Sequence, residues 1–470
     1  MGNLLGTPIT EKETHVGEID ELNYGVSSMQ GWRIHMEDAH ICQETLCAQE
    51  LLEDNLVTNN DSSSSNNNNN NGNSNNDEED EDSAEEGGQM KKARVSSNTN
   101  LKEEAAATSP PITPAASKPT YKSIPMPQHS LFAVFDGHGG SFAAHYSGLN
   151  FVRVLSRQPS FVKYAYCLEE LNGNGKDAVN GTANAENDNR SPQVIAKLQR
   201  QALQWLEMAF GDAFIEIDTE IYHAMAHYPL DPDVILPPKT PSPTQDEEAD
   251  ASPLLSASDS GTTANVVLFT PQWILCANAG DSRSVYSKSM SGNQITTPLS
   301  YDHKPEEDAE SQRIQDAGGF VRAGRVDGDL AVSRGLGDFR FKNVETVLKG
   351  TTVHKHSFKY KYGMTGGKAS EEGDHNVGPK RQPQNGGGGG TFVVTCPEDQ
   401  KVSPVPDLVI QNRNRQEDEF VVVACDGIWD VVTNQECVDL TREIFQGGES
   451  DLGLLSEEVR ICCISCECVE

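Results

Sequence analysis

The stretch that decides the fold is Leu-Phe-Ala-Val-Phe-Asp-Gly-His-Gly-Gly, residues 131–140. Its first five residues are apolar and are bounded by turn residues, a pattern typical of a short buried β-strand. The strand ends in Asp136, although carboxylates avoid protein interiors unless they are paired or bound to a metal ion. An ordinary Asp-Gly turn would explain one such strand ending. If the same pattern occurs again elsewhere in the chain, a functional role for these acids becomes the better explanation.

The same pattern of an apolar strand followed by an acid occurs twice more. Residues 420–425 form an apolar run that ends in Asp426, and residues 273–277 lead through a short turn to Asp281. Three such strands predict carboxylates that converge at one edge of a β core. Carboxylates this close repel one another unless a cation lies among them. Because the ligands are oxygens, the pattern favours Mg²⁺ or Mn²⁺ over zinc.

A fourth acidic element lies near the N-terminus, in Gly-Trp-Arg-Ile-His-Met-Glu-Asp-Ala-His, residues 31–40. The alternation of Arg33, His35 and Glu37 predicts that these side chains share one side of a strand. An exposed polar strand face explains this alternation. Alternatively, Glu37 supplies another metal ligand and Arg33 a guanidinium fork suited to a phosphate dianion.

Composition reduces the length available for folded structure. The chain has 470 residues and a formal net charge of -34, with an Asn- and Ser-rich run followed by an acidic run at 77–86. Such segments bury too little apolar surface to fold, so we expect a disordered insert over residues 51–126. The acidic balance argues against nucleic-acid binding through a basic face. Further interruptions are expected at 171–192, 231–258 and in the Gly-rich region 342–402.

The sequence also bears on the cellular compartment. No apolar run reaches the roughly 18 residues of a membrane span, and no secretory signal is recognisable. Scattered cysteines fit reduced thiols inside a cell. The start, residues 1–7, partly resembles a myristoylation signal, but Gly6 stands where Ser or Thr is preferred. We expect a monomer in the cytoplasm or nucleus, with weak membrane association if Gly2 is acylated.

Together the motifs resemble the metal-dependent serine/threonine protein phosphatases of type 2C. The resemblance implies an α+β fold, a four-layer α/β/β/α sandwich with two central antiparallel β-sheets flanked by helices. It implies one phosphatase domain over residues 22–460, after an N-terminal segment 1–21 and before an atypical Cys-rich tail at 461–470. The matching motifs lie at 26–33, 36–40, 135–140, 260–264, 278–283, 302–305, 313–319, 329–338 and 424–430.

The resemblance also implies a metal centre. Two Mg²⁺ or Mn²⁺ ions would share a bridging water, and a weaker third position would exist. Asp136 would contact both ions, and Gly137 would bind one through its backbone carbonyl. The other residues that the resemblance places at the metals or their water are Glu37, Asp38, Asp281 and Asp426.

The implied reaction is hydrolysis of phosphoserine and phosphothreonine in phosphoprotein substrates, without a covalent intermediate. A metal pair lowers the pKa of its water from about 16 towards 7, so hydroxide exists at neutral pH. Arg33 would bind the phosphate. His138 would act as general acid for the leaving alkoxide, a contribution of roughly 10²- to 10⁴-fold.

Other residues in the motifs are expected to be structural. Trp32 and Trp429 are expected in the core, His303 as a brace for a turn, and Asp338 as scaffold. The spacing of apolar residues over 193–224 predicts a helix.

The C-terminal part departs from the family pattern. We do not find the Gly-x-x-Asp-Asn motif whose aspartate completes the first metal site, and a predicted helix over 452–459 leads into Cys-rich sequence. We therefore expect the C-terminal strand region to be missing and metal affinity to be reduced. Two hypotheses stay open: a metal-dependent phosphatase, or a catalytically impaired pseudophosphatase that acts as a phosphoprotein-binding or regulatory protein.

Overall fold

The computed structural model describes residues 4–19, 22–52, 119–173, 190–238, 259–349, 361–362 and 396–467. Residues 1–52 and 121–470 belong to one compact unit, to which all of the following refers. A second unit comprises residues 53–120, of which residues 53–118 lie outside the described ranges.

Eighteen strands are described. The strands of the N-terminal part are β1 (Leu4–Ile19), β2 (Leu22–Arg33), β3 (Ala39–Gln43), β4 (Leu46–Leu52), β5 (Thr120–Met126), β6 (Ser130–Phe135) and β7 (Gly137–His138). Those of the middle and C-terminal parts are β8 (Gly261–Thr262), β9 (Ala264–Phe269), β10 (Trp273–Ala279), β11 (Arg283–Met290), β12 (Asn293–Pro298), β13 (Val321–Arg322), β14 (Arg325–Val326), β15 (Leu336–Gly337), β16 (Lys361–Tyr362), β17 (Asp407–Asn412) and β18 (Asp418–Ala424).

Eight α-helices are described, together with short 3-10 helices at Phe339–Phe341 and Pro397–Asp399. The helices are α1 (Phe142–Arg157), α2 (Pro159–Leu171), α3 (Pro192–Met225), α4 (Asp308–Asp316), α5 (Val344–Lys349), α6 (Asp426–Trp429), α7 (Asn434–Gln446) and α8 (Leu452–Glu467). The helix predicted over 193–224 is confirmed as α3, and the helix predicted over 452–459 is confirmed as the start of α8. Within the described ranges, none of these helices has the length and apolar character needed to cross a membrane.

The strands form several sheets, mostly with antiparallel pairing. The largest has six strands in the order β16-β17-β10-β9-β6-β3, with a parallel pair only at β16 and β17 among the described strands. A three-stranded sheet has the order β12-β11-β18, and a small one the order β15-β8-β7. In the six-stranded sheet β9 pairs antiparallel with β10, with Ile274 opposite Phe269.

Apolar side chains pack on both faces of the six-stranded sheet. On one face, Phe135 of β6 packs with Phe151 of α1 and Phe214 of α3. On the other face, Val267 of β9 belongs to a cluster with Tyr286 of β11 in the three-stranded sheet. Burial of such side chains is the main stabilising contribution to the fold. The α+β class with antiparallel sheets is therefore confirmed, whereas the four-layer order stays a prediction.

Several local predictions differ from the structure. The strand predicted across residues 31–40 ends at Arg33, and β3 begins only at Ala39, so Arg33, His35 and Glu37 do not share a strand face. Trp32 is 46% exposed and is not a core residue, whereas Trp429 is buried as predicted. Residues 51–52 and 120–126, assigned to the disordered insert, are in strands β4 and β5.

The other predicted interruptions lie mostly outside the described residues. Region 342–402 contains α5, β16 and the 3-10 helix Pro397–Asp399, while 363–395 is not described. Residues 174–189 and 239–258 likewise lie outside the described ranges. The side chains of the predicted Cys-rich tail, 461–470, also fall outside them.

Candidate functional site

Asp136 lies at the junction between β6 and the two-residue strand β7. Its backbone carbonyl accepts hydrogen bonds from the Thr263 amide (2.9 Å) and the Thr262 hydroxyl (3.0 Å). Its own amide donates to the Thr263 hydroxyl (3.2 Å). Because β6 is the buried strand that the opening motif predicts, these bonds fix the point from which the Asp136 carboxylate projects.

The ends of β6 and β18 bring two predicted ligands together. Ligand atoms of Asp136, Cys425 and Asp426 all lie within 4.8 Å of one another, and all three residues are half-buried. Convergence of Asp136 and Asp426 is what the repeated strand-acid pattern predicts. Cys425 is one of the scattered cysteines, and its position directly before Asp426 is the signal in the sequence that it borders the same site.

The electrostatics of this cluster favour a cation. Burial, followed by the charges of Asp38, Asp426 and Asp281, raises the pKa of Asp136 to about 9. Burial and Asp281 likewise raise the pKa of Asp426. Grouped carboxyls whose pKa values are raised are destabilised as anions, and a divalent cation bound by their oxygens would remove that cost. The donor set therefore fits Mg²⁺ or Mn²⁺.

Glu37 and Asp38 approach the same region from the loop between β2 and β3. Glu37 Oε1 accepts a hydrogen bond from the Gly140 amide (3.0 Å), and Asp38 Oδ1 accepts one from the Gly137 amide (3.3 Å). A Cβ atom built on Gly137 would collide with the Glu37 carbonyl oxygen, so glycine is required for this close approach. The structure thus places both acids beside the glycine-rich turn, and their role at a metal stays a prediction.

Asp281 follows β10, is buried and forms an ion pair with a lysine side chain. Lys304 Nζ lies 2.6 Å from Asp281 Oδ2, and this attraction raises the pKa of Lys304 although burial opposes it. Lys304 was missed by the sequence analysis, although it lies in one of the quoted motifs. The neighbouring His303 is buried, and its Nδ1 accepts a hydrogen bond from the Gly280 amide (3.2 Å), as a brace for this turn would do.

His138 contacts Asp338, an acid that was predicted to be part of the scaffold. Its Nε2 lies 2.9 Å from both carboxylate oxygens of Asp338. Burial lowers the pKa of the imidazole, but attraction to Asp338 outweighs burial, and the net pKa of His138 is raised. A raised pKa favours the protonated ring, which is the form that a proton donor needs. The signal for Asp338 was again an acid beside a glycine, in Gly335-Leu-Gly-Asp338.

Arg33 stands apart from these contacts. It is the last residue of β2, and its side chain is exposed. Within the ranges that the structure describes, its guanidinium forms no ion pair. Its predicted role in phosphate binding therefore rests on the resemblance and not on a contact.

Comparison with known proteins identifies the family. The family model for protein phosphatase 2C matches residues 174–470, which include Asp281, Asp338 and Asp426. The match begins after Arg33 and Asp136, so the roles of the N-terminal site residues stay predictions.

Curated relatives align with almost the whole chain. Protein phosphatase 2C homolog 2 of Saccharomyces cerevisiae is 26% identical over 465 residues, covering 98% of this chain and 58% of its own length. Protein phosphatase 2C homolog 3 of Schizosaccharomyces pombe is 28% identical, covering 99% of this chain and 65% of its own length. The chain thus spans less than two thirds of these relatives.

A solved structure gives a distant match. Serine-threonine phosphatase 2C from Toxoplasma gondii is 16% identical and superposes with a TM-score of 0.43, covering 72% of this chain and 81% of that one. This superposition is too loose to add to the sequence match. Because the family model matches more than half of the chain, this protein belongs to the protein phosphatase 2C family.

Proposed function

We propose that this chain hydrolyses phosphoserine and phosphothreonine in phosphoprotein substrates with bound Mg²⁺ or Mn²⁺. The observation that carries the proposal is the meeting of Asp136 and Asp426, with ligand atoms within 4.8 Å, in a chain of the protein phosphatase 2C family. Two divalent ions and a weaker third are proposed to be held by Glu37, Asp136, the Gly137 carbonyl, Asp281 and Asp426, with Asp38 holding their water.

Side chains of the protein are proposed to bind the phosphate and to donate a proton to the leaving group. Bound divalent ions would supply a water of lowered pKa and neutralise phosphoryl charge. Arg33, exposed at the end of β2, is proposed to bind the phosphate dianion, because its planar fork matches two phosphate oxygens. His138 is proposed to donate a proton to the departing seryl or threonyl oxygen, which is otherwise a poor leaving group.

The test is phosphate release from a phosphothreonine peptide by the full chain, with Mn²⁺ or with chelator. We expect release that requires the metal, is abolished in Asp136→Asn and is reduced about 10²- to 10⁴-fold in His138→Gln. Asp329→Asn, which changes an exposed acid paired with Arg340, is the matched control and should keep full activity.

An absence of metal-dependent release, with the protein shown to be folded, would contradict the proposal. It would favour the alternative, a phosphoprotein-binding protein without turnover. Full activity of Asp136→Asn would instead contradict the assignment of the metal centre while leaving phosphatase activity in place.

A further inference from the structure

His138 and Asp338 are connected across a strand that lies between them. In the small sheet, β8 pairs with β7 on one side and β15 on the other, and Gly261 of β8 is opposite both His138 and Gly337. Asp338 follows β15 directly, so its carboxylate must pass over Gly261 to reach the imidazole. A Cβ atom built on Gly261 would overlap the Asp338 carboxylate. The absence of a side chain at Gly261 therefore makes the contact possible.

The backbone that carries Asp338 is itself fixed. The Asp338 amide donates to the Ser260 carbonyl (3.1 Å), and its φ of 53° lies in the left-handed region that Asp tolerates better than most residues. A buried ion pair holds the preceding turn: Lys342 Nζ lies 2.7 Å from Asp218 Oδ1 and also donates to the Gly335 carbonyl (3.0 Å). Asp218 also accepts the Gly337 amide (2.7 Å). Helix α3 thereby determines where the Asp338 carboxylate lies.

Exposure separates the two partners. The Asp338 side chain is 2% exposed, whereas that of His138 is 30% exposed. The carboxylate thus lies behind the ring, and a substrate can approach the ring but not the acid. A carboxylate can accept hydrogen bonds but cannot donate them, so the proton of this hydrogen bond is on Nε2.

We propose that Asp338 is a positioning residue that fixes the orientation and tautomer of His138 through the gap at Gly261. This inference rests on the proposed function, because it gives His138 its role in proton transfer. Nε2–H stays donated to Asp338, and Nδ1 carries the proton that is transferred. As the bond from phosphorus to the seryl or threonyl oxygen breaks, that oxygen takes the Nδ1 proton and the ring becomes neutral. Phosphorus gains the oxygen of a water molecule; one proton of that water stays on the phosphate and the other is released to solvent.

A leaving-group comparison distinguishes positioning from a merely structural role. p-Nitrophenyl phosphate releases a stabilised phenolate that needs no proton, whereas a phosphothreonine peptide releases an alkoxide that does. In Asp338→Ala we expect kcat for the peptide to fall about 10- to 100-fold, less than the roughly 10²- to 10⁴-fold expected for loss of the general acid itself, and kcat for the aryl phosphate to change less than about threefold. Equal losses on both substrates would overturn the inference while leaving the phosphatase activity established.

Two further variants sharpen the test. Gly261→Ala adds one methyl group and changes no charge, and it should reproduce the substrate-dependent loss because the methyl displaces the carboxylate. Asp338→Asn keeps the shape of the side chain, but its amide can donate a hydrogen bond to the ring and so favour the tautomer without a proton on Nε2. The activity of this variant on the phosphothreonine peptide should therefore also fall. Asp329→Asn is the control for loss of an acid nearby in the chain. Circular dichroism and thermal melting establish that each variant is folded.

A spectroscopic measurement tests the inference without turnover. In the full chain labelled with ¹⁵N-histidine, the His138 ring signals are assigned by their loss in His138→Gln. We expect Nε2 to carry a proton in the wild type whether or not Nδ1 is also protonated, and a changed ring signal in Asp338→Ala and Gly261→Ala. Ring signals identical to the wild type in both variants would refute the positioning role, even if the chain proved inactive on every substrate.

Discussion

Replacing Asp136 by Asn should stabilise the metal-free protein while removing its response to metal. Burial and neighbouring acids raise the pKa of Asp136 from 3.8 to about 9 in the folded chain. Between these values the folded protein holds a proton that the unfolded chain releases. The free energy of unfolding of the metal-free wild type therefore falls as pH rises through this window, and the variant lacks this dependence.

Two calculations set the magnitude. If Asp136 were ionised in the folded chain, its charge and that of Asp426, at 4.8 Å, the limiting distance in the cluster, would repel by about 3 kcal/mol at an effective dielectric constant of roughly 20. Proton linkage at Asp136 lowers the free energy of unfolding by about 1.4 kcal/mol per pH unit above the pKa of the unfolded chain. At neutral pH this gives an upper limit of about 4 kcal/mol for the loss of stability. We expect Asp136→Asn to be more stable by about 3 kcal/mol without metal, and its melting temperature to rise by about 6 °C.

The assay is thermal denaturation in chelator and in Mn²⁺ across a range of pH. At a metal concentration of about 100 times the dissociation constant the wild type should gain about 2.7 kcal/mol, whereas the variant should gain little. Asp329→Asn, at an exposed site, should behave like the wild type in both conditions. A variant that melts below the wild type in chelator, or that gains as much from Mn²⁺, would refute the reasoning.

Three further predictions concern stability. Lys342→Met should lower the free energy of unfolding by about 3–5 kcal/mol because it leaves the buried Asp218 without its cation. Adding Asp218→Asn should recover most of that loss. Thermal denaturation of the single and double variants measures this coupling, and additive losses would contradict it. Phe210→Ala, in the fully buried cluster between α1 and α3, should cost about 3–5 kcal/mol in chemical denaturation, and a loss below about 1 kcal/mol would show that the cluster repacks. Thr433→Ala should cost about 1 kcal/mol because Thr433 caps α7 in a capping box, whereas Thr433→Ser should retain the cap; equal melting temperatures for the two variants would count against it.

The parts of the fold that follow local patterns could be predicted from the sequence. The apolar runs before Asp136 and Asp426 are strands, and the 3.6-residue spacing over 193–224 is helix α3. The repeated strand-acid pattern predicts that the two acids converge at one edge of a β core, and they do meet, although β6 and β18 belong to different sheets. The same rule could have been applied to Asp338, which also follows a strand and a glycine.

The parts that depend on tertiary contacts could not be predicted. Alternation over residues 31–40 does not show where a strand ends, and Glu37 instead accepts a hydrogen bond from the Gly140 amide outside any strand. Trp32 is apolar, but its burial depends on partners that no local pattern identifies. The contact of His138 with Asp338 needs the pairing of β8 with both β7 and β15, and the sequence carries no signal for these short pairings.

The distance along the chain between Asp136 and Asp426 has a consequence for biosynthesis. Translation delivers Asp136, with its strand β6, long before β18 and Asp426 leave the ribosome. A nascent chain that stops short of β18 therefore holds only part of the acidic cluster, and its cation affinity develops only once β18 has been made and pairs with β11. Pairing between such remote segments is slow, and until it forms the edge of β11 that will bind β18 stays unpaired.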